Sequence, residues 1–139
     1  MTPEMRNRLK VILTKHEGRK NFPYVDTVGK STIGIGYNLT DRGLPDSWID
    51  KQFEEDCDYF YGELNKFLWF QVLNEARQIA LVDMSFMGMK KFLEFKRMIA
   101  ALTVKDYQIA SMEMLKSTWA SQVGNRAFEL AKIIREGEI

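Results

Sequence analysis

The sequence predicts an α+β protein: a small N-terminal part with a helix and a β-hairpin, then a larger all-helical part joined to it by a long helix. Three observations predict it. Apolar residues at helical spacing open the chain. A β-prone stretch broken by glycines fills residues 22–39, and helix signals then resume and continue almost to the C-terminus. The expected organisation is one domain over 1–139, with an N-terminal lobe at about 14–45, a connecting helix at about 46–64 and a helical lobe at about 65–139 against which the N-terminal helix packs. Two lobes leave a crevice, where ligand sites tend to lie.

The elements follow in order. Thr2-Pro3-Glu4 is a helix opening: a hydroxyl cap, proline at the first position and an acid near the positive dipole end. Met5, Leu9, Ile12 and Leu13 recur at helical spacing, so this helix is expected to bury one face, run to about His16 and stop at Gly18. Glu17 then lies at a helix C-terminus, where the dipole resists a negative charge. Between Phe22 and Leu39, aromatic and β-branched residues alternate with Gly29, Gly34 and Gly36, with Thr27-Val28-Gly29-Lys30 as the hairpin turn. Glycine inside a strand marks a bend or a close approach, so Gly34-Ile35-Gly36 reads as a bare surface. After a turn at Asp41–Pro45, Asp46 or Ser47 caps a long helix carrying Trp48, Ile49, Phe53, Cys57, Phe60 and Leu64. Further helices are expected near 74–87, 91–102, 105–116 and 125–136, with Thr103 and Asp106 as a variant capping box.

Composition removes several function classes. Twenty basic and nineteen acidic side chains leave a formal net charge of +1, so no global field draws the chain to nucleic acid or an anionic membrane. Between positions 50 and 80 the basic residues are Lys51, Lys66 and Arg77, too few for a nucleic-acid surface. The single cysteine, Cys57, precludes an internal disulfide and, with no histidine after it, reads as a small core residue. The apolar run Val11–Leu13 is too short for a signal-peptide core, and no stretch approaches the length of a membrane span. A lone histidine, His16, cannot build a metal cluster, and the eight methionines read as adaptable packing. The aromatic residues between Tyr59 and Phe70 read mostly as core, with one or two able to stack on a sugar.

The residues able to do chemistry are Glu17, at a helix end, and Asp26, at a strand or turn. Two carboxylates on different elements are the minimum for glycoside hydrolysis, one protonating the leaving oxygen and the other serving the water. Thr32 can return along the hairpin to place a hydroxyl beside Asp26. Spacing alone, among nineteen acids, leaves ordinary surface charges the better reading.

The block HEG at 16–18 with DTVGKSTIGIGYNLT at 26–40 resembles the N-terminal segment of the phage lysozymes of the T-even type, glycoside hydrolase family 24. The resemblance continues through Phe53-Glu54-Glu55-Asp56, Met84-Ser85-Phe86, and Trp119 with Gln122, Asn125 and Arg126. It implies a lysozyme-like fold and hydrolysis of bacterial peptidoglycan between N-acetylmuramic acid and N-acetylglucosamine, with inversion and without a metal or organic cofactor. It implies Glu17 as general acid, Asp26 as the group that holds or deprotonates water and Thr32 as its helper. Asn38 and Phe86 are expected to bind substrate, and Arg126 matches an arginine that pairs with the catalytic glutamate. Such a cation lowers the pKa of an acid that must stay protonated, so burial and the helix end are expected to oppose it.

Three departures from the family pattern bear on activity. Tyr37 stands where histidine is frequent, facing an acid that would be Asp56, so an ion pair there becomes at most a phenol hydrogen bond. Met87 replaces an amide in the cleft, losing its donor and acceptor. The near-zero net charge removes a basic surface that would favour anionic walls and predicts a different salt optimum. The expected partner is the peptidoglycan glycan strand, engaged by a monomer. As an endolysin the chain would wait in the host cytoplasm until a separate holin opens the membrane, then act on the wall in the periplasm; no added assembly segment favours a tail role. The alternatives are a lytic transglycosylase, which the Asp26 and Thr32 matches disfavour, and a lysozyme-like glycan-binding or interaction module.

Overall fold

A computed structural model describes residues 1–139. It is an α+β structure: ten helices and one three-stranded antiparallel sheet, in two compact units, Met1–Lys51 and Gln52–Ile139. No helix is long and apolar enough to cross a membrane.

In the first unit α1 spans Pro3–Glu17 and starts as its sequence dictates, the Thr2 hydroxyl accepting from the Met5 amide at 3.2 Å and Pro3 sitting in the first turn. Gly18, at φ 76°, ends it. No residue of α1 is buried, which corrects the expectation of a buried apolar face. Met5, Leu9, Ile12 and Leu13 are exposed.

Strands β1 (Lys20–Val25), β2 (Ser31–Gly34) and β3 (Tyr37–Asn38) lie in the order β1-β2-β3. Tyr24 opposes Thr32, Thr32 opposes Asn38 and Ile33 opposes Tyr37, with an irregularity in β1 between Lys20 and Tyr24. Pro23 is accommodated because β1 is an edge strand. The expected turn at 41–45 proves half helical: α2 (Leu39–Arg42) is capped by the Asn38 side chain and stopped by Gly43. Asn38-x-x-Asp41 was the sequence signal for it.

Helix α3 (Asp46–Leu64) carries the chain from the first unit into the second. Asp46 lies in its first turn, and the Trp48 and Ile49 amides bond to the Pro45 carbonyl, so neither Asp46 nor Ser47 is the cap. Of its apolar series, Leu64 alone is buried. The second unit continues with α4 (Leu68–Gln71), α5 (Glu75–Ser85), α6 (Met89–Phe92), α7 (Lys96–Thr103), α8 (Tyr107–Leu115), α9 (Thr118–Val123) and α10 (Asn125–Glu136). The expected helix at 91–102 is thus two, α6 and α7, and α4 and α9 escaped the sequence reading because helices of four and six residues have too little periodicity to detect.

The capping box at Thr103 is also corrected. Thr103 ends α7 with its hydroxyl on the Ile99 carbonyl, and Asp106 itself caps α8 by accepting from Ile109. Between them the Lys105 amide bonds to Leu102 and the Asp106 amide to Ala101, a Schellman closure with Lys105 at φ 59° where glycine is usual. The hydrophobic core lies wholly in this unit, from Leu64 and Phe70 through Leu81, Met84, Phe92, Met98, Leu102 and Met114 to Ile134. Arg77 of α5 closes the end of α10, donating Nε to the Ile134 carbonyl at 2.7 Å, with its guanidinium 3.6 Å from the Tyr107 ring centroid.

Candidate active site

The β1–β2 connection is built around Asp26. Its Oδ1 accepts from the Val28 amide at 3.0 Å and the Lys30 amide at 2.8 Å, while its own amide donates to the Lys30 carbonyl at 2.9 Å. Gly29, at φ 83°, supplies the left-handed residue that lets the chain return. One carboxylate oxygen is therefore used to hold the loop, and Oδ2 remains for other work. Thr32 is the single buried residue of the first unit, and its hydroxyl donates to the same Lys30 carbonyl at 3.2 Å. With its proton committed there, Thr32 Oγ1 presents lone pairs, so it can accept a hydrogen bond from a water. The Lys30 carbonyl thus ties Asp26 and Thr32 to one point of the hairpin.

Glu17 is the last residue of α1 and is exposed. It meets the sheet at Gly36: the Glu17 Cγ lies 2.9 Å from where a Cβ on Gly36 would stand. Asn38 is more committed than its expected substrate role implies, since Oδ1 accepts from the Asp41 amide at 3.0 Å and Nδ2 donates to Asp41 Oδ2 at 2.9 Å. Lys30 Nζ bonds the other oxygen of Asp41 at 2.9 Å. The hydrogen bond from Lys30, then that from Asn38, holds the Asp41 carboxyl below the ordinary carboxylate range, and Asp41 in turn raises Lys30. Sequence reasoning missed this Lys30-Asp41-Asn38 chain; the Asn38-x-x-Asp41 cap was its only local signal.

Tyr37 makes the hydrogen bond left to a phenol, and its acceptor is backbone: the hydroxyl donates to the Gly43 carbonyl at 2.7 Å. Its ring packs on Trp48, with centroids 4.9 Å apart, and Arg42 lies 4.3 Å from its centroid. Asp56, the acid named as facing it, accepts from Gln52 at 2.9 Å.

Phe86 and Arg126 belong to the second unit. Both line a cavity of about 600 Å³ with Phe53, Tyr61, Ile79 and Asp83, and Phe86 packs on Phe60 at 4.7 Å between centroids. The Arg126 guanidinium is engaged by Asp83, with Nε on the carboxylate at 2.8 Å and Nη2 on both the carboxylate and the carbonyl. Met87 borders a second cavity of about 740 Å³ with Trp119 and Gln122, so a thioether stands among the residues where an amide was the family expectation. Glu17, Asp26, Thr32 and Asn38 therefore share one unit and Phe86 and Arg126 the other.

The profile of the family described as phage lysozyme matches residues 14–135, which takes in the hairpin loop and both cavities. The chain is also 26% identical over 159 aligned residues to the pre-baseplate central spike protein Gp5 of Enterobacteria phage T4, an alignment that takes in 92% of this chain. It spans 28% of the length of that relative.

Proposed function

From its membership of the phage lysozyme family, to which the match over residues 14–135 shows that this chain belongs, we propose that it hydrolyses the β-1,4 bond between N-acetylmuramic acid and N-acetylglucosamine of peptidoglycan. The observation that carries the reading is the Asp26–Thr32 arrangement on the Lys30 carbonyl, a carboxylate oxygen and a hydroxyl acceptor fixed together on one loop. Glu17 donates its proton to the glycosidic oxygen as the bond to the anomeric carbon breaks. Asp26 Oδ2 takes one proton from the attacking water, while Thr32 Oγ1 accepts a hydrogen bond from its second hydrogen, which stays on the oxygen. The water oxygen bonds to the anomeric carbon from the opposite face, so configuration inverts; this requires about 6.5–9.5 Å between the carboxyl groups. Glu17 is exposed in the free protein, and a bound glycan would exclude water from it. Asn38 and Phe86 are the glycan contacts of this reading, and the Arg126 guanidinium is held by Asp83.

In this reading the protein is an endolysin: a monomer accumulating in the host cytoplasm and reaching the periplasmic wall when a separate holin opens the membrane. A tail-associated role is the second reading, favoured by the likeness to a central spike protein. Presence of the chain in purified virions supports the tail role, and its restriction to the lysate supports the endolysin.

Digestion of purified peptidoglycan by wild type and Glu17→Gln, followed by mass analysis, tests the chemistry. The expected result is new reducing ends at muramic acid and an activity lower by about two to four orders of magnitude in the folded variant, the scale of general acid catalysis. Anhydro ends would reassign the protein to the lytic transglycosylases, and glycan binding without products would make it a binding module. Near wild-type turnover in Glu17→Gln would remove Glu17 from the mechanism.

A further inference from the structure

Gly34 and Gly36 flank Ile35 and share a left-handed backbone, with φ of 67° and 73°. They differ in what surrounds them. A Cβ at Gly34 would meet nothing within 4 Å, whereas one at Gly36 would stand 2.9 Å from Cγ, 3.1 Å from Cδ and 3.4 Å from Oε2 of Glu17. The side-chain space at Gly36 is thus filled by the carboxyl arm of Glu17. Within its own unit that arm has no hydrogen bond or ion pair to fix it, so the contact with the Gly36 backbone is what limits its rotamers.

We infer that Gly36 is a positioning residue for the acid: its missing side chain is the seat of the Glu17 arm, and any larger residue displaces the carboxyl group. This rests on the reading of Glu17 as the proton donor. Ordinary carbon–carbon contacts lie at about 3.5–4.0 Å, so a methyl at position 36 moves Cγ from 2.9 Å by roughly 1 Å, a misplacement able to cost about 10²-fold in rate. The displacement falls on the exposed Glu17 arm and not on the sheet, so stability and activity separate.

Gly34→Ala is the internal control, because it imposes the same backbone conformation on alanine without touching Glu17. Gly36→Ala and Gly34→Ala are expected to lower Tm by similar amounts. Gly36→Ala alone is expected to lower kcat about 10²-fold with KM unchanged. In a Glu17→Gln background, Gly36→Ala should produce no further loss, since the group it displaces is already inert. Equal kcat in the two alanine variants, or a further loss in the double variant, would overturn the positioning role. If Gly36→Ala does not fold, side-chain couplings of Glu17 in the wild type decide: one rotamer supports the seat and free averaging overturns it. Glu17→Gln alone separates the two levels. An active Glu17→Gln removes the acid and its seat together, whereas an inert Glu17→Gln beside a fully active Gly36→Ala removes only the seat.

Discussion

In Met1–Lys51 the one buried side chain carries a hydroxyl, Thr32, whereas in Gln52–Ile139 burial is almost wholly apolar and runs from Leu64 to Ile134. The first unit keeps its shape by local hydrogen bonds: Asp26 across its own loop, Asn38 and Lys30 on Asp41, Tyr37 on Gly43. The second keeps its shape by close packing of helices around Phe70, Leu81, Met84, Phe92 and Met114. Polar loops held by short bonds leave oxygens at defined positions for a reaction, while an apolar core supplies cooperative stability and little chemistry. The residues proposed for proton transfer lie in the unit without a core.

That contrast can be broken most sharply at Asp26. Asparagine keeps an Oδ1 to accept from Val28 and Lys30, so Asp26→Asn should preserve the loop and lose the base. Activity on peptidoglycan is expected to fall by about 10²–10⁴-fold with Tm nearly unchanged. Retained activity would make Asp26 a purely structural residue and would leave the first unit without its chemical role.

A core truncation sharpens the comparison from the other side. Phe70 is fully buried and Leu9 exposed. Phe70→Ala should cost about 3–5 kcal/mol in denaturant unfolding, and Leu9→Ala no more than about 0.5 kcal/mol. A loss at Leu9 as large as that at Phe70 would show that this face of α1 is covered in solution.

The smallest effect concerns the Lys30–Asp41 pair, which is exposed to solvent. Asp41 is held below its ordinary value, so its contribution to stability is present above the unfolded-state value and is lost as pH falls through the depressed one. Lys30 is raised, so its contribution is lost as pH rises through that raised value. The pair is therefore intact across the neutral range. An NMR titration should place the Asp41 midpoint below the usual carboxylate range, and Lys30→Met should move it back up; an unmoved midpoint would show that the pair does not persist in solution.

Much of this was legible beforehand because the signals were local. Thr2-Pro3-Glu4 started α1 and Gly18 stopped it, and the alternation broken by Gly29, Gly34 and Gly36 gave the hairpin. The capping error at Thr103 arose because two residues of the right type stood at the right spacing. Only the chain reversal through Lys105, at φ 59°, shows that one ends a helix and the other begins the next.

The sequence by itself determined the α+β class, the position of Glu17 at a helix end and the placement of Asp26 and Thr32 on one hairpin, because caps, glycines and alternation act over a few residues. Only the tertiary structure decided which apolar stripes are buried, that Asp83 engages Arg126, and that Gly36 rather than Gly34 meets Glu17. Periodicity states which face is apolar but not what lies against it, and a glycine's neighbour is set by the path of a backbone many residues away.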